Sequence, residues 1–391
     1  MHVSPGRVVS KGMGRLKGAV MSGLVIAVAL AMAVPAAAGE KVFKIGGLAA
    51  LQQGFGRSMQ SGSQIAVDEI NAAGGVNGYK LQITWLDDET SPATGRTLAQ
   101  RLIFNDKVDA ILGCHASTVV LAIADLMAQN KILEVAMGSA QKVTELNNPW
   151  IVRVRENDLL TGKVLVNYMV DKANLKKVAI IYMSEQYGMG GRDNLVAALA
   201  AKGLKPVAAE AHNQGDKDFS SQLLNVKKAG ADALVLISGV PDLGIMVKQA
   251  RQLIPDVKIF MSSVGATKPF MDVAGEAANG TFAVVTYTED NPNPIVQKFV
   301  QSFKAKYNAP PYDFFSALSY DAVYMLAQAT KKAGTPDQHE KMRDAFKEIK
   351  GYNGVTGLTY DLDKNGESVH ELLLITYENM KHKVVAKVSG R

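Results

Sequence analysis

Residues 68–85 read DEINAAGGVNGYKLQITW, and the spacing of the apolar residues changes inside this stretch. Upstream, over residues 58–71, Met59, Ala66 and Ile70 share one face at helical spacing. Gly74 and Gly75 stop that helix. Beyond them Leu81, Ile83 and Trp85 alternate, the period of a strand with one buried face. A strand is predicted before the helix at residues 42–45, and a helix at 93–104, a short buried strand at 110–112 and a helix at 119–130 after it. Strand and helix in strict alternation imply parallel strands joined by right-handed helical crossovers, so the fold class is a doubly wound α/β layer structure.

The same rhythm restarts after Arg155. Strands are predicted at residues 178–182, 207–210, 233–237, 258–261 and 282–285, with helices at 195–201, at 219–229 and around Gln249. Two further helices, 294–306 and 314–332, close the pattern, with Gly-, Pro- and Asn-containing loops at 291–294 and 308–311. A chain of 391 residues with 47% hydrophobic and 20% charged content has room for two such units.

The net charge of +6 misleads about partners, because four of the 43 basic residues and none of the 37 acidic ones lie in residues 1–38. Without that segment the balance is +2, and no basic cluster of the kind that binds nucleic acid remains. Residues 1–38 have the form of a secretory signal peptide: a positive stretch ending at Lys17, an apolar run over 19–34, and Ala36-Ala37-Ala38 at the expected cut. The run is short of the roughly 20 residues that span a bilayer. Periplasmic export is therefore expected. The single cysteine, Cys114, rules out an internal disulfide and the common zinc-ribbon spacings, and is read as a small packed thiol. No phosphate-binding loop, His-Glu-x-x-His or Gly-x-Ser-x-Gly elbow is present, so no enzyme, cofactor or metal is expected.

Several short motifs recur in order along the chain: Asp68 through Gly78, the acidic turn Asp87-Asp88-Glu89, Gln186-Tyr187-Gly188, Lys217-Asp218-Phe219-Ser220, Lys248-Gln249-Ala250-Arg251 and Tyr320-Asp321-Ala322. The ordered set resembles the branched-chain amino-acid binding proteins of ABC importers, which have the type I periplasmic binding fold. That resemblance implies two Rossmann-like lobes joined by a three-strand hinge, residues 39–156 with 286–360 forming lobe 1 and 157–285 with 361–391 forming lobe 2. It also implies crossings near Arg155, Tyr287 and Asp361, a small-molecule ligand in the cleft, an ABC permease as partner, and a monomer.

Candidate site residues follow. Ser117 and Thr118 stand between a strand end and a helix start, where hydroxyl and N–H groups suit a carboxylate, or where Ser117 simply caps the helix; the resemblance assigns the carboxylate-binding serine to Ser117. It assigns both ends of an amino acid to the turn Gly138-Ser139-Ala140, with Ala140 in place of the usual threonine and Ser139 offering a hydroxyl one position earlier. Tyr187 falls at an aromatic lid, and Phe55 and Phe315 at the side-chain pocket; loop positions are expected for Tyr187 and Phe55, while Phe315 is equally a core residue. Val264 replaces the glutamate that would neutralise a ligand ammonium, and Asp242 is the nearest alternative carboxylate, or else a helix cap. His115 is a possible donor to a carboxylate, and Arg155 reads first as a salt-bridge residue and second as a ligand partner. The expected ligand is a small amino acid, branched-chain or related; the alternatives are an aromatic or other carboxylic acid without an ammonium group, or a sensor role.

Overall fold

A computed structural model describes residues 40–311, 313–369 and 371–388; the expected leader lies outside the described residues. The first unit runs β1 (Val42–Ala49), α1 (Gly54–Ala72), β2 (Lys80–Asp87), α2 (Pro92–Arg101), β3 (Ala110–Gly113), α3 (Ser117–Asn130), β4 (Leu133–Ala136), α4 (Lys142–Glu145) and β5 (Ile151–Arg153). The second runs α5 (Asp158–Asn167), β6 (Val178–Met183), α6 (Gln186–Ala200), β7 (Ala208–His212), α7 (Ser220–Lys228), β8 (Ala233–Ile237), α8 (Asp242–Leu253), β9 (Lys258–Met261), α9 (Lys268–Ala274) and β10 (Phe282–Val285). Then come α10 (Pro294–Tyr307), α11 (Phe314–Ala333), α12 (His339–Lys347), β11 (Tyr352–Asn353), β12 (Thr359–Leu362), β13 (Ser368–Val369), β14 (Leu372–Glu378) and β15 (Lys381–Val388).

The first sheet has strand order β2-β1-β3-β4-β5, all parallel. In the second, β7-β6-β8-β9-β10 repeat that order in parallel, and β14 and β15 add an antiparallel edge beyond β10. Each sheet therefore has a switch point, between β1 and β3 and between β6 and β8, where crossovers leave in opposite directions and open a crevice at the carboxyl ends of the strands. Helices α10 and α11 return to the first sheet, where Phe299, Phe303, Phe314 and Leu318 join its buried core. Among the described residues no helix is long and apolar enough to cross a membrane.

Three helices begin earlier than their apolar spacing predicts. α1 starts at Gly54, α3 at Ser117 and α6 at Gln186, each within a few residues of a strand end. Glycines in the first turns weaken the helical signal, yet Gly56 and Gly188 are required there. A Cβ would fall 2.1 Å from the Ala50 carbonyl oxygen and 2.0 Å from that of Met183. α2 ends short of residue 104, at Arg101, and continues as a wide π turn through Asp106.

The quoted stretch shows how the motif residues work. Asn71 ends α1, and its amide donates to the Leu81 carbonyl and accepts from the Leu81 N–H, both at 2.8 Å. Since β2 is an edge strand, this one side chain stands in for the missing neighbour and locks the helix to the sheet. Asn71→Ala is expected to lower the unfolding free energy by about 2 kcal/mol, two net hydrogen bonds, with solute affinity unchanged, as denaturant titration and calorimetry would measure.

Candidate functional site

A cavity of about 90 Å³ lies where the carboxyl ends of the two sheets face each other. Its wall is drawn from the segment after each parallel strand in turn, apart from β10. Gln53 and Phe55 follow β1, Thr90 follows β2, residues 115–118 follow β3, Ser139 follows β4 and Arg155 follows β5. From the other side come Met183, Glu185 and Tyr187 around the end of β6, Gln214 after β7, Gly239 and Val240 after β8, and Val264 after β9. Phe315 enters from the first turn of α11.

Eight of the candidates thus meet in one place: Phe55, His115, Ser117, Thr118, Ser139, Tyr187, Val264 and Phe315. Phe55 and Tyr187 sit in the first turns of α1 and α6 rather than in loops, which holds each ring on a rigid element. The Tyr187 hydroxyl is 2.6 Å from Ser262 Oγ. Phe315 is both core and wall: 3% exposed, with Phe55 at 5.9 Å and His115 at 6.2 Å between ring centroids.

Ser117 does not cap α3. The N-cap position is Ala116, and Ser117 Oγ accepts the Ala140 N–H at 3.1 Å, which leaves the hydroxyl proton to donate elsewhere. Gly138 and Ala140 support this wall without joining it. A Cβ on Gly138 would sit 2.9 Å from Ser117 Cα, so only glycine lets the turn pack there. Asp242 neither reaches the cavity nor caps its helix; it is the first residue of α8, and its carboxylate accepts the Gly215 N–H at 2.7 Å, bracing the turn after β7.

Arg155 is an ion-pair residue, as its sequence position first reads, and it lines the cavity as well. Its Nη2 donates to Glu156 Oε1 at 2.7 Å and to Ser263 Oγ at 2.8 Å, and Nη1 donates to the Met137 carbonyl at 3.2 Å. Its guanidinium lies 5.2 and 5.4 Å from the ring centroids of Phe314 and Phe315. Nearby, Asp158 opens α5, its N–H donating to the carbonyl of the cavity-lining Ser139 at 2.9 Å, so the second lobe is fastened to the first beside the cavity. Burial pushes the Asp158 carboxyl up to about 6, against the pull of Arg155, the Ser139 hydroxyl and Arg153. Among the described residues Glu185 is the one carboxylate in the cavity wall, its pKa raised by partial burial.

Gln53, Thr90, Met183, Glu185, Gln214, Gly239 and Val240 escape motif reading, although each lies at or within four residues of a strand end. The rule that open α/β sheets bind ligands at those ends is the signal that reaches them.

The periplasmic binding protein family model matches residues 43–381. The chain belongs to that family. A Leu/Ile/Val-binding protein homolog of Brucella suis is 30% identical over 309 residues, 78% of this chain and 82% of the relative. A leucine-, isoleucine-, valine-, threonine- and alanine-binding protein of Pseudomonas aeruginosa is 28% identical over 295 residues, 75% and 78% of the two chains. The crystal structure of a leucine-binding protein from Thermotoga maritima aligns with a TM-score of 0.81 at 27% identity, covering 89% of this chain and 99% of that one. This binding protein therefore has the type I periplasmic fold.

Its cavity histidine is half-buried, with one ring nitrogen shut off from solvent. His115 packs 4.8 Å from the Phe55 centroid, and its Nδ1 is buried without a hydrogen-bond partner. Burial first, and the Arg155 charge second, push the imidazole down to about 4. The unfolded chain takes up this proton near pH 6.5, whereas the folded one refuses it, so stability is lost as pH falls from 6.5 towards 4. His115→Phe is expected to lose less stability than wild type across that window, as melting curves at stepped pH would show; parallel losses would mean a solvated ring.

Proposed function

We propose that this binding protein is the periplasmic solute receptor of an ABC importer, exported through its leader, and that its cleft holds a carboxylate-bearing solute of amino-acid size. The solute is closed upon by the second lobe and presented to an inner-membrane permease. The observation that carries this reading is the meeting of Ser117 and Thr118, at the N-terminus of the 14-residue helix α3, with Ser139 in one small cavity. Helix N-termini offer N–H groups and positive potential to an anion, and the Ser117 hydroxyl has its proton to give.

An amino acid, branched-chain or related, fits if Glu185 meets its ammonium; the names of the relatives favour it. A carboxylic acid without an ammonium group is favoured by Val264 and by the aromatic wall of Phe55, His115 and Phe315. Ser117→Ala is expected to weaken binding of the solute by about 1.5–3 kcal/mol, one hydrogen bond to a charged group, and also to lower the melting temperature of the solute-free protein, because the buried Ala140 N–H loses its acceptor. The solute itself is found by melting the stripped protein against leucine, isoleucine, valine, other amino acids and benzoate-type acids, because a ligand of the native state raises the midpoint. Unchanged affinity in the alanine variant would remove Ser117 from the site.

A further inference from the structure

Arg155 is 4% exposed, lines the cavity and is held rigidly from several sides. Glu156 and Ser263 take Nη2, Met137 takes Nη1, and the Phe314 and Phe315 rings lie within 5.2 and 5.4 Å of the guanidinium carbon. Nε has no hydrogen-bond partner and is itself buried. A buried charged donor left without an acceptor is costly, and more so for a guanidinium than for a neutral group. Glu156, which offsets the charge, is not among the cavity-lining residues, so the cavity wall presents the cation and its counter-ion stands behind it.

The cavity wall also carries apolar groups. Val264 and Val240 come from the second lobe, and His115, neutral above about pH 4, completes the aromatic side. A solute ammonium entering here would face Arg155, with Glu185 as the sole carboxylate that the described residues bring to the wall. A solute carboxylate meets both a cation and the α3 N-terminus.

We infer that Arg155 is a specificity-determining residue of the cleft, its Nε edge taking an acceptor oxygen of the bound solute, so that an acid without an ammonium group is preferred over the amino acid of the same side chain. This rests on the reading above that the solute carries a carboxylate.

The test is calorimetric titration of the purified, solute-stripped protein with two matched pairs, leucine with 4-methylpentanoate and phenylalanine with 3-phenylpropanoate, and with 3-phenylpropanamide as the uncharged control. In at least one pair the acid is expected to bind about tenfold or more tighter than its amino acid, and the amide not to bind measurably. Arg155→Met, and Arg155→Met combined with Glu156→Gln to keep the site neutral, are expected to abolish that preference; Arg155→Lys retains part of it. An amino acid that binds as tightly as its deaminated partner in wild type overturns the inference while leaving the carboxylate reading standing. So does a preference that survives both methionine variants. An amide that binds as well as its acid, or binding of none of the five probes, removes the carboxylate reading itself and the inference with it. Where the methionine variants fail to fold, the wild-type pairs and Arg155→Lys decide.

Discussion

The ion pair between Arg153 and Glu367 is the constraint on which the cleft depends. Arg153 is fully buried at the end of β5, and its Nε and Nη2 meet the two carboxylate oxygens of Glu367, each at 2.6 Å. The guanidinium also reaches the Gly138 and Ala140 carbonyls at 3.1 and 2.7 Å and Thr144 Oγ1 at 3.2 Å, while the Arg153 N–H bonds to the Gly366 carbonyl at 2.7 Å. Two ions taken out of water cost several kcal/mol each unless geometry and extra hydrogen bonds offset it. Here they do, because five donor bonds of one side chain tie the turn after β4 to the last crossing of the chain. Asn157, which caps α5, donates to the same Glu367 carboxylate, so the start of the second lobe is set by the same pair.

From that hub the cavity follows geometrically. The Gly138–Ala140 turn, held by Arg153, gives its Ala140 N–H to Ser117 and its Ser139 carbonyl to Asp158. One turn therefore positions the first residue of α3 on one side and the first residue of α5 on the other. Arg155 lies two residues beyond the hub and is clamped in turn by Ser263, after β9. Ser117, Ser139 and Arg155 are set by this network, and the rings of Phe55, His115 and Phe315 pack together beside it.

The motifs that carry the family resemblance are mostly fasteners of the scaffold. Glu69 accepts from Tyr320, Tyr324 and Ser302, at 2.5, 2.9 and 3.1 Å, joining α1 to α11 and α10. Asp321 accepts from the Val355 and Thr356 N–H groups and from Tyr360, joining α11 to the small three-stranded sheet of β11, β12 and β13. Gln249 accepts the Phe219 N–H and donates to the Lys217 carbonyl, both at 2.8 Å, which pins α8 to the start of α7. Such residues build the architecture, whereas Val264 and Arg155 line the cavity.

The sequence by itself determined the alternation of strand and helix, the restart after Arg155 and the place of most candidate residues just beyond strand ends, because apolar period and glycine breaks are local properties of the chain. Strand order, and with it the two switch points, came only from tertiary packing, since no local feature states which strand lies beside which. Packing also decided that Asp242 braces a turn instead of reaching the cleft, that Ser117 bonds to Ala140 rather than capping its own helix, and that Arg155 faces the cavity with its counter-ion behind it. Each of these is a relation between residues more than ten positions apart or a matter of which way a side chain turns. Burial and hydrogen-bond geometry fix such relations, and periodicity along the chain carries no record of them.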